Sequence, residues 1–189
     1  YQIAMGTLPR FLRPSLQSFN KSKKLRLEVN RNMSKKLKSN ISVYNCRKVI
    51  GISWKTKNKD WIEANITLEE LVTGIYTPGI RMVCVQYGEV SEEIDQIKKK
   101  FGIEIEQVDE VDKFNNIDGL AALLSACDEV VSIENITVPL AGTLGVSTKV
   151  LLSSHSCWYW GKNDMKSYWF NSVTCYRQRS IGDWSVPLE

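Results

Sequence analysis

The segment Glu134-Asn135-Ile136-Thr137 follows the short apolar run Glu129–Ile133 and precedes Thr137 to Leu144, which reads as a helix. A loop that leaves a strand and enters a helix aims unpaired backbone N–H groups, and the positive end of the helix dipole, at whatever lies beyond the strand. That arrangement suits a phosphate or diphosphate. Asn135 or Thr137 can act as N-cap, and Pro139 is tolerated in the first turn, where its missing donor has no intrahelical partner. A plain capped helix would carry the same signals. Three other polar loops follow apolar runs: Ser53–Asp60, Gln86–Glu89 and Asp112–Asn116. The first holds Lys55, Lys57 and Lys59, any of which can pair with phosphate, although a lysine-rich loop is usually only solvated.

Other chemistries find little support. No Gly-x-Gly-x-x-Gly follows the first strand, which argues against a dinucleotide cofactor, and there is no Gly-x-x-x-x-Gly-Lys-Ser/Thr. His155 lacks a Gly-x-Ser-x-Gly elbow, so it reads as a loop histidine rather than part of a hydrolase. Cys46, Cys84, Cys127, Cys157 and Cys175 are scattered singly and form no metal set with one histidine. They read as reduced thiols of a cytoplasmic protein. No cofactor and no metal are expected.

The elements that must position these loops alternate between strand and helix from residue 48 onward. Lys48–Trp54 and Arg81–Gln86 are β-branched or apolar runs, Thr67–Val72 caps and starts a helix, and Ser91–Phe101 is a charged helix with Ile94 and Ile97 inward. Ile103–Val108 is a short strand. Ile117, Leu120, Ala121 and Leu124 fall on one helical face, and Val146–Leu152 is a further strand after Gly145, placed as a left-handed C-cap. Strands that alternate with helices, the later ones nearly all apolar, imply a parallel sheet covered on both faces. The fold class is therefore α/β, a Rossmann-like doubly wound sheet with the strand at 129–133 central. Ligands bind such sheets at the carboxyl ends of the strands.

Composition agrees with one globular domain: 189 residues, 43% hydrophobic and 24% charged. No window is long and apolar enough to span a membrane, and no membrane partner is expected. Charge is uneven. Residues 1–48 carry 12 basic groups and one acidic, leaving 13 basic and 20 acidic groups in the rest. Leu25, Val29, Met33 and Leu37 recur every fourth position within the basic stretch, which predicts a helix over 21–38 with a thin apolar stripe. Without aromatics or a nucleic-acid motif, that helix reads as a connector laid against the domain, and no nucleic-acid partner is expected. The chain divides into a connector, 1–47, and a domain, 48–187, with the terminal Leu188-Glu189 left outside.

The run Asp128–Val146, Asp-Glu-Val-Val-Ser-Ile-Glu-Asn-Ile-Thr-Val-Pro-Leu-Ala-Gly-Thr-Leu-Gly-Val, resembles the donor-site signature of the heptosyltransferase-like glycosyltransferases. Flanking pieces are similar too: Gly51–Lys55, Gln86–Glu89 and Asn116–Leu123. Met5–Pro9 resembles the stretch between that family's two domains. The tail, with Trp158–Gly161, Tyr168–Phe170, Arg177-Gln178 and Gly182–Trp184, looks like the version fused to tetratricopeptide repeats. The resemblance implies the GT-B architecture, in which a C-terminal Rossmann-like domain holds a nucleotide-sugar and an N-terminal domain holds acceptor and catalytic base. This chain would be the C-terminal half with its connector, its partner the missing acceptor domain, with no catalytic residue of its own. The resemblance assigns Ser53 and Lys55 to phosphate or ribose, Glu89, Asn115 and Asn116 to the nucleoside side, and Glu134, Asn135 and Thr137 to diphosphate and sugar, with Gln86 and Tyr87 as further substrate-binding residues. Three departures stand out: Pro139 replaces the family's histidine, Glu134 its aspartate, and Ala64-Asn65 its Arg-Ser.

Overall fold

A computed structural model describes residues 2–20, 27–42, 46–162 and 165–188. Six parallel strands form one sheet: β1 (Lys48–Ser53), β2 (Ile80–Cys84), β3 (Ile105–Gln107), β4 (Glu129–Ile133), β5 (Ser147–Leu152) and β6 (Val173–Arg177). Their spatial order is β3-β2-β1-β4-β5-β6. The chain builds outward from β1 to β3, crosses back to lay β4 on the other side of β1, and builds outward again. The expected doubly wound parallel sheet is therefore present, with β4 at its centre.

Helices α1 (Leu8–Leu12), α2 (Gln17–Asn20) and α3 (Arg31–Ile41) precede the sheet, and α4 (Leu68–Ile75), α5 (Ser91–Phe101), α6 (Ile117–Ala126), α7 (Thr137–Leu144) and α8 (Ser185–Leu188) are interleaved with or follow the strands. Side chains alternate across each strand, so each face has its own apolar layer. Ile50 and Ile52 of β1 join Met82, Ile133 and Leu151 beneath Leu71, Val72, Ile94 and Ile97 of α4 and α5. Val49, Val83 and Val130 meet Leu120, Leu123 and Leu124 of α6 and Leu37 and Ile41 of α3 on the other face. A smaller cluster joins Val138 of α7 to Val150, Leu152, Trp160, Val173 and Cys175. Gly51 lets helix and sheet approach closely: a Cβ there would stand 3.1 Å from Cys127 Sγ and 3.2 Å from Val85 Cγ1.

Local chemistry sets the helix ends. Thr67 Oγ1 accepts the Glu70 N–H at 3.1 Å while the Glu70 carboxylate accepts the Thr67 N–H at 3.1 Å, a reciprocal cap that starts α4. Gly145 closes α7 in the left-handed region, φ 78°, as expected. Glu129, buried at the start of β4, is flanked by Lys48 Nζ at 3.0 Å and Lys149 Nζ at 3.6 Å from the neighbouring strands. Those partners offset the cost of burying its charge.

Some expectations need correction. The basic helix does not span 21–38: residues 27–30 are not helical, α3 begins at Arg31, and residues 21–26, with Leu25, lie outside the described residues. The cause is Asn30, whose Oδ1 accepts the Met33 N–H at 3.0 Å and caps the helix there. The apolar stripe then runs on past residue 38 to the buried Ile41. Ile117 opens α6 but is exposed, so the inward face begins at Leu120. Leu188 packs on the first core layer, and a Cβ on Gly74 would meet it at 2.9 Å. Strand β6, at the sheet edge, was not among the expected strands; its Val173 and Cys175 are buried and Thr174 between them is partly exposed. Leu124→Ala should lower the unfolding free energy by about 2–5 kcal/mol, whereas the exposed Leu12→Ala should stay within about 0.5 kcal/mol. Urea titration of both variants checks this.

Candidate functional site

Ser53 and Ser132 pair in register at the carboxyl ends of β1 and β4, where strand order reverses. This is the place at which a doubly wound sheet opens a crevice. Gln86, buried just past β2, reaches into it. Its Oε1 accepts from Ser53 Oγ at 2.8 Å and from the Trp54 and Lys55 backbone N–H groups at 3.0 Å each. Its Nε2 donates to the Tyr87 carbonyl at 3.1 Å. Asn135 adds the third strand end: its Nδ2 donates to Ser53 Oγ at 2.8 Å, and its Oδ1 accepts the Thr137 N–H at 3.0 Å. Four of the residues singled out in the sequence, Ser53, Gln86, Asn135 and Thr137, are thus brought together at the start of α7.

Asn135 does the capping of α7. Thr137 is instead the first helical residue and is 1% exposed, and its Oγ1 has no hydrogen-bond partner among the described residues. Most buried hydroxyls are paired, and an unpaired one costs roughly 1–3 kcal/mol. The first N–H groups of α7 are already met, Thr137 by Asn135 Oδ1, Val138 by the Asn135 carbonyl and Leu140 by the Ile136 carbonyl, and Pro139 has none. The Thr137 hydroxyl, at the positive end of the helix, is the donor left to meet an anion or a hydroxyl.

Lys55 departs from expectation. Its backbone N–H joins the Gln86 knot, but its ammonium pairs with Glu93 of α5, whose other oxygen accepts the Trp54 indole N–H at 2.8 Å. Lys55 therefore turns toward the α4–α5 flank rather than toward α7. There it borders a cleft of about 770 Å³, with Trp54, Thr67, Ile97 and Lys100. This opening shares only Lys55 with the predicted set, and its apolar floor lies away from the start of α7.

Glu134 is also committed. Both of its carboxylate oxygens accept the Cys157 N–H at 3.2 Å, which draws the segment after β5 across the end of β4. Burial, and then the hydrogen bond and charge of Glu134, push the Cys157 thiol up to about 12. Burial and the same carboxylate raise the Tyr159 hydroxyl well above its ordinary value. Glu93, Cys157 and Tyr159 had no sequence signal, because their roles depend on contacts 23 or more residues away.

The other residues singled out in the sequence make contacts of their own. The Tyr87 hydroxyl accepts the Lys57 N–H at 3.1 Å, and its ring lies 5.8 Å from that of Phe114. The Asn115 N–H donates to Asp112 Oδ1 at 3.0 Å, and its Nδ2 to Oδ2 at 2.9 Å. The Asn115 amide, then its side chain and the Phe114 amide, hold the Asp112 carboxyl below the usual carboxylate range. Asn116 caps α6 through Gly119 N–H at 2.8 Å, and Glu89 is exposed.

No protein-family model matches the chain. Protein FlbA of Caulobacter vibrioides is 34% identical over 115 residues, which is 60% of this chain and 19% of FlbA. Two solved structures share the fold. One is a glycosyl transferase family 9 protein from Veillonella parvula DSM 2008, with TM-score 0.61 and 11% identity over 83% of this chain and 44% of that one. The other is E. coli ADP-heptose LPS heptosyltransferase II, with TM-score 0.58 and 16% identity over 86% of this chain and 50% of that one. The chain spans about a fifth of FlbA's length and about half of each structure. At such identities the likeness is one of fold, and the fold is that of glycosyltransferase structures. Among the described residues, no helix is long and apolar enough to cross a membrane.

Two outcomes follow from this geometry. Gln86→Leu leaves three donors without their shared acceptor and should destabilise the chain by about 3 kcal/mol or more, read by chemical denaturation. With a thiol near 12, only about one Cys157 in a thousand is thiolate at pH 9, so alkylation followed by mass spectrometry should find it slow. Removing the carboxylate that raises the thiol, as in Glu134→Gln, should speed it. Rapid labelling of Cys157 in the native protein would contradict the assignment.

Proposed function

We propose that this chain is the donor-binding half of a GT-B glycosyltransferase and holds the diphosphate of a nucleotide-sugar at the start of α7. The observation that carries this reading is Thr137. Its hydroxyl is buried without a partner at a helix N-terminus, above the point where strand order reverses. The helix dipole of α7 and the Thr137 hydroxyl supply fixed positive potential and a donor where a departing nucleoside diphosphate gains charge, and such preorganised groups are a major source of transition-state stabilisation. Asn135 and the Gln86 knot hold the strand ends in place. The family resemblance in residues 128–146 and the shared fold support the assignment. The acceptor and the general base belong, in this reading, to a second domain of a longer protein, and the isolated chain transfers no sugar.

A second reading has its own support. Ser53, Gln86 and Asn135 satisfy one another, Lys55 is neutralised by Glu93, and Pro139 stands where the resembled family has histidine. A non-catalytic module that binds a nucleotide or a partner domain would look like this.

Thr137→Val tests the site by moving two quantities in opposite directions. Replacing an unpaired buried hydroxyl by a methyl of the same shape should raise stability by about 1 kcal/mol. It should also weaken binding of the best nucleoside diphosphate by roughly tenfold or more, a loss on the order of 1.5–3 kcal/mol. Lys35→Ala, on the exposed face of α3, should change neither. Thermal denaturation and calorimetric titration with ADP, GDP and UDP measure both. Unchanged affinity in Thr137→Val, or an equal loss in Lys35→Ala, would place the site elsewhere.

A further inference from the structure

The segment between β5 and β6 is clamped over Ser156–Trp160. Glu134 holds the Cys157 N–H with both oxygens at 3.2 Å. Arg177 holds the rest: its Nη1 donates to Ser156 Oγ at 3.2 Å and its Nη2 to the Trp160 carbonyl at 2.6 Å. Between these anchors the aromatic side chains part. Trp160 is 0% exposed in the core, whereas Trp158 is 64% exposed. The Trp158 indole is braced by Tyr159 at 5.9 Å and 90° and by Trp169 at 6.2 Å and 83°.

An indole on a loose loop needs no explanation. One held out of the core by two polar clamps and two edge-to-face neighbours is a preorganised apolar surface, and binding to it costs little further ordering. Its position is specific. Trp158 follows the residue whose N–H Glu134 holds, and Glu134 stands three residues ahead of Thr137.

We propose that Trp158 is the stacking surface for the sugar ring of a nucleotide-sugar whose diphosphate lies at the start of α7. The proposal rests on the function argued above and deepens it. A pyranose has an apolar C–H face that packs on an aromatic ring and hydroxyls at its rim that need polar partners. Trp158 supplies the first. The exposed Ser154 and His155, just ahead of this segment, supply the second.

Isothermal titration of the 189-residue chain tests this, using UDP, GDP and ADP beside UDP-glucose, GDP-mannose and ADP-glucose. For the base that binds, the sugar form should bind more tightly than the bare diphosphate by roughly three- to tenfold, the worth of one aromatic contact. Trp158→Ala should erase that margin and leave the bare diphosphate's affinity unchanged, while Trp158→Phe keeps most of it. Circular dichroism verifies that both variants fold. The proposal is overturned if wild type shows no margin, if Trp158→Ala keeps it, or if that variant loses the bare diphosphate equally. A shift in self-association with the margin intact would make Trp158 a protein contact and also overturn it. Absence of all nucleotide binding would remove the functional reading itself, which separates that failure from this one.

Discussion

A parallel sheet sends every strand to its end at the same edge, and this polarity governs the rest of the molecule. The last strand amides and the first amides of the following helices collect there without ladder partners. Each must be met by a side chain, by water or by a ligand. In this chain one carboxamide carries much of that burden. Gln86 accepts three bonds from the end of β1, and Asn135 ties the same serine to the start of α7. The edge most able to bind an anion is thus also the edge whose order depends most on polar side chains.

The two flanks of β1 have diverged in character. Toward β2, the Lys55–Glu93 pair and the Trp54 indole are mutually satisfied and border an open cleft. Toward β4, the Thr137 hydroxyl at the start of α7 has no partner among the described residues. Local satisfaction stabilises a fold but leaves nothing for a ligand, whereas an unsatisfied buried donor costs stability and is retained where something else supplies the partner. The function proposed above uses the β4 side.

Glu134 illustrates how one residue serves both ends. Its charge opposes a phosphate, so its value lies in what it organises: it pins Cys157, and with Arg177 it determines which tryptophan of the segment is buried and which is presented. A carboxylate one methylene shorter would have to draw that segment closer to β4 to make the same bonds.

Periodicity and capping residues determined most of the framework in advance. The short β-branched run at 129–133, the Thr67–Glu70 pair and Gly145 act through neighbours a few positions away, so their consequences are local and readable. The loop at 134–137 was legible as a helix entry for the same reason. Where local signals were weak, less was legible: the basic stretch reads as one helix until Asn30 caps it at Arg31, and β6, an edge strand, alternates buried and partly exposed residues over only five positions, too few to stand out. Only the tertiary structure decided that Lys55 turns to Glu93, that Glu134 meets Cys157, and that Thr137 Oγ1 is left without a partner. Those outcomes join residues far apart in the chain, and their energies depend on burial and distance, quantities that exist only once the sheet has assembled.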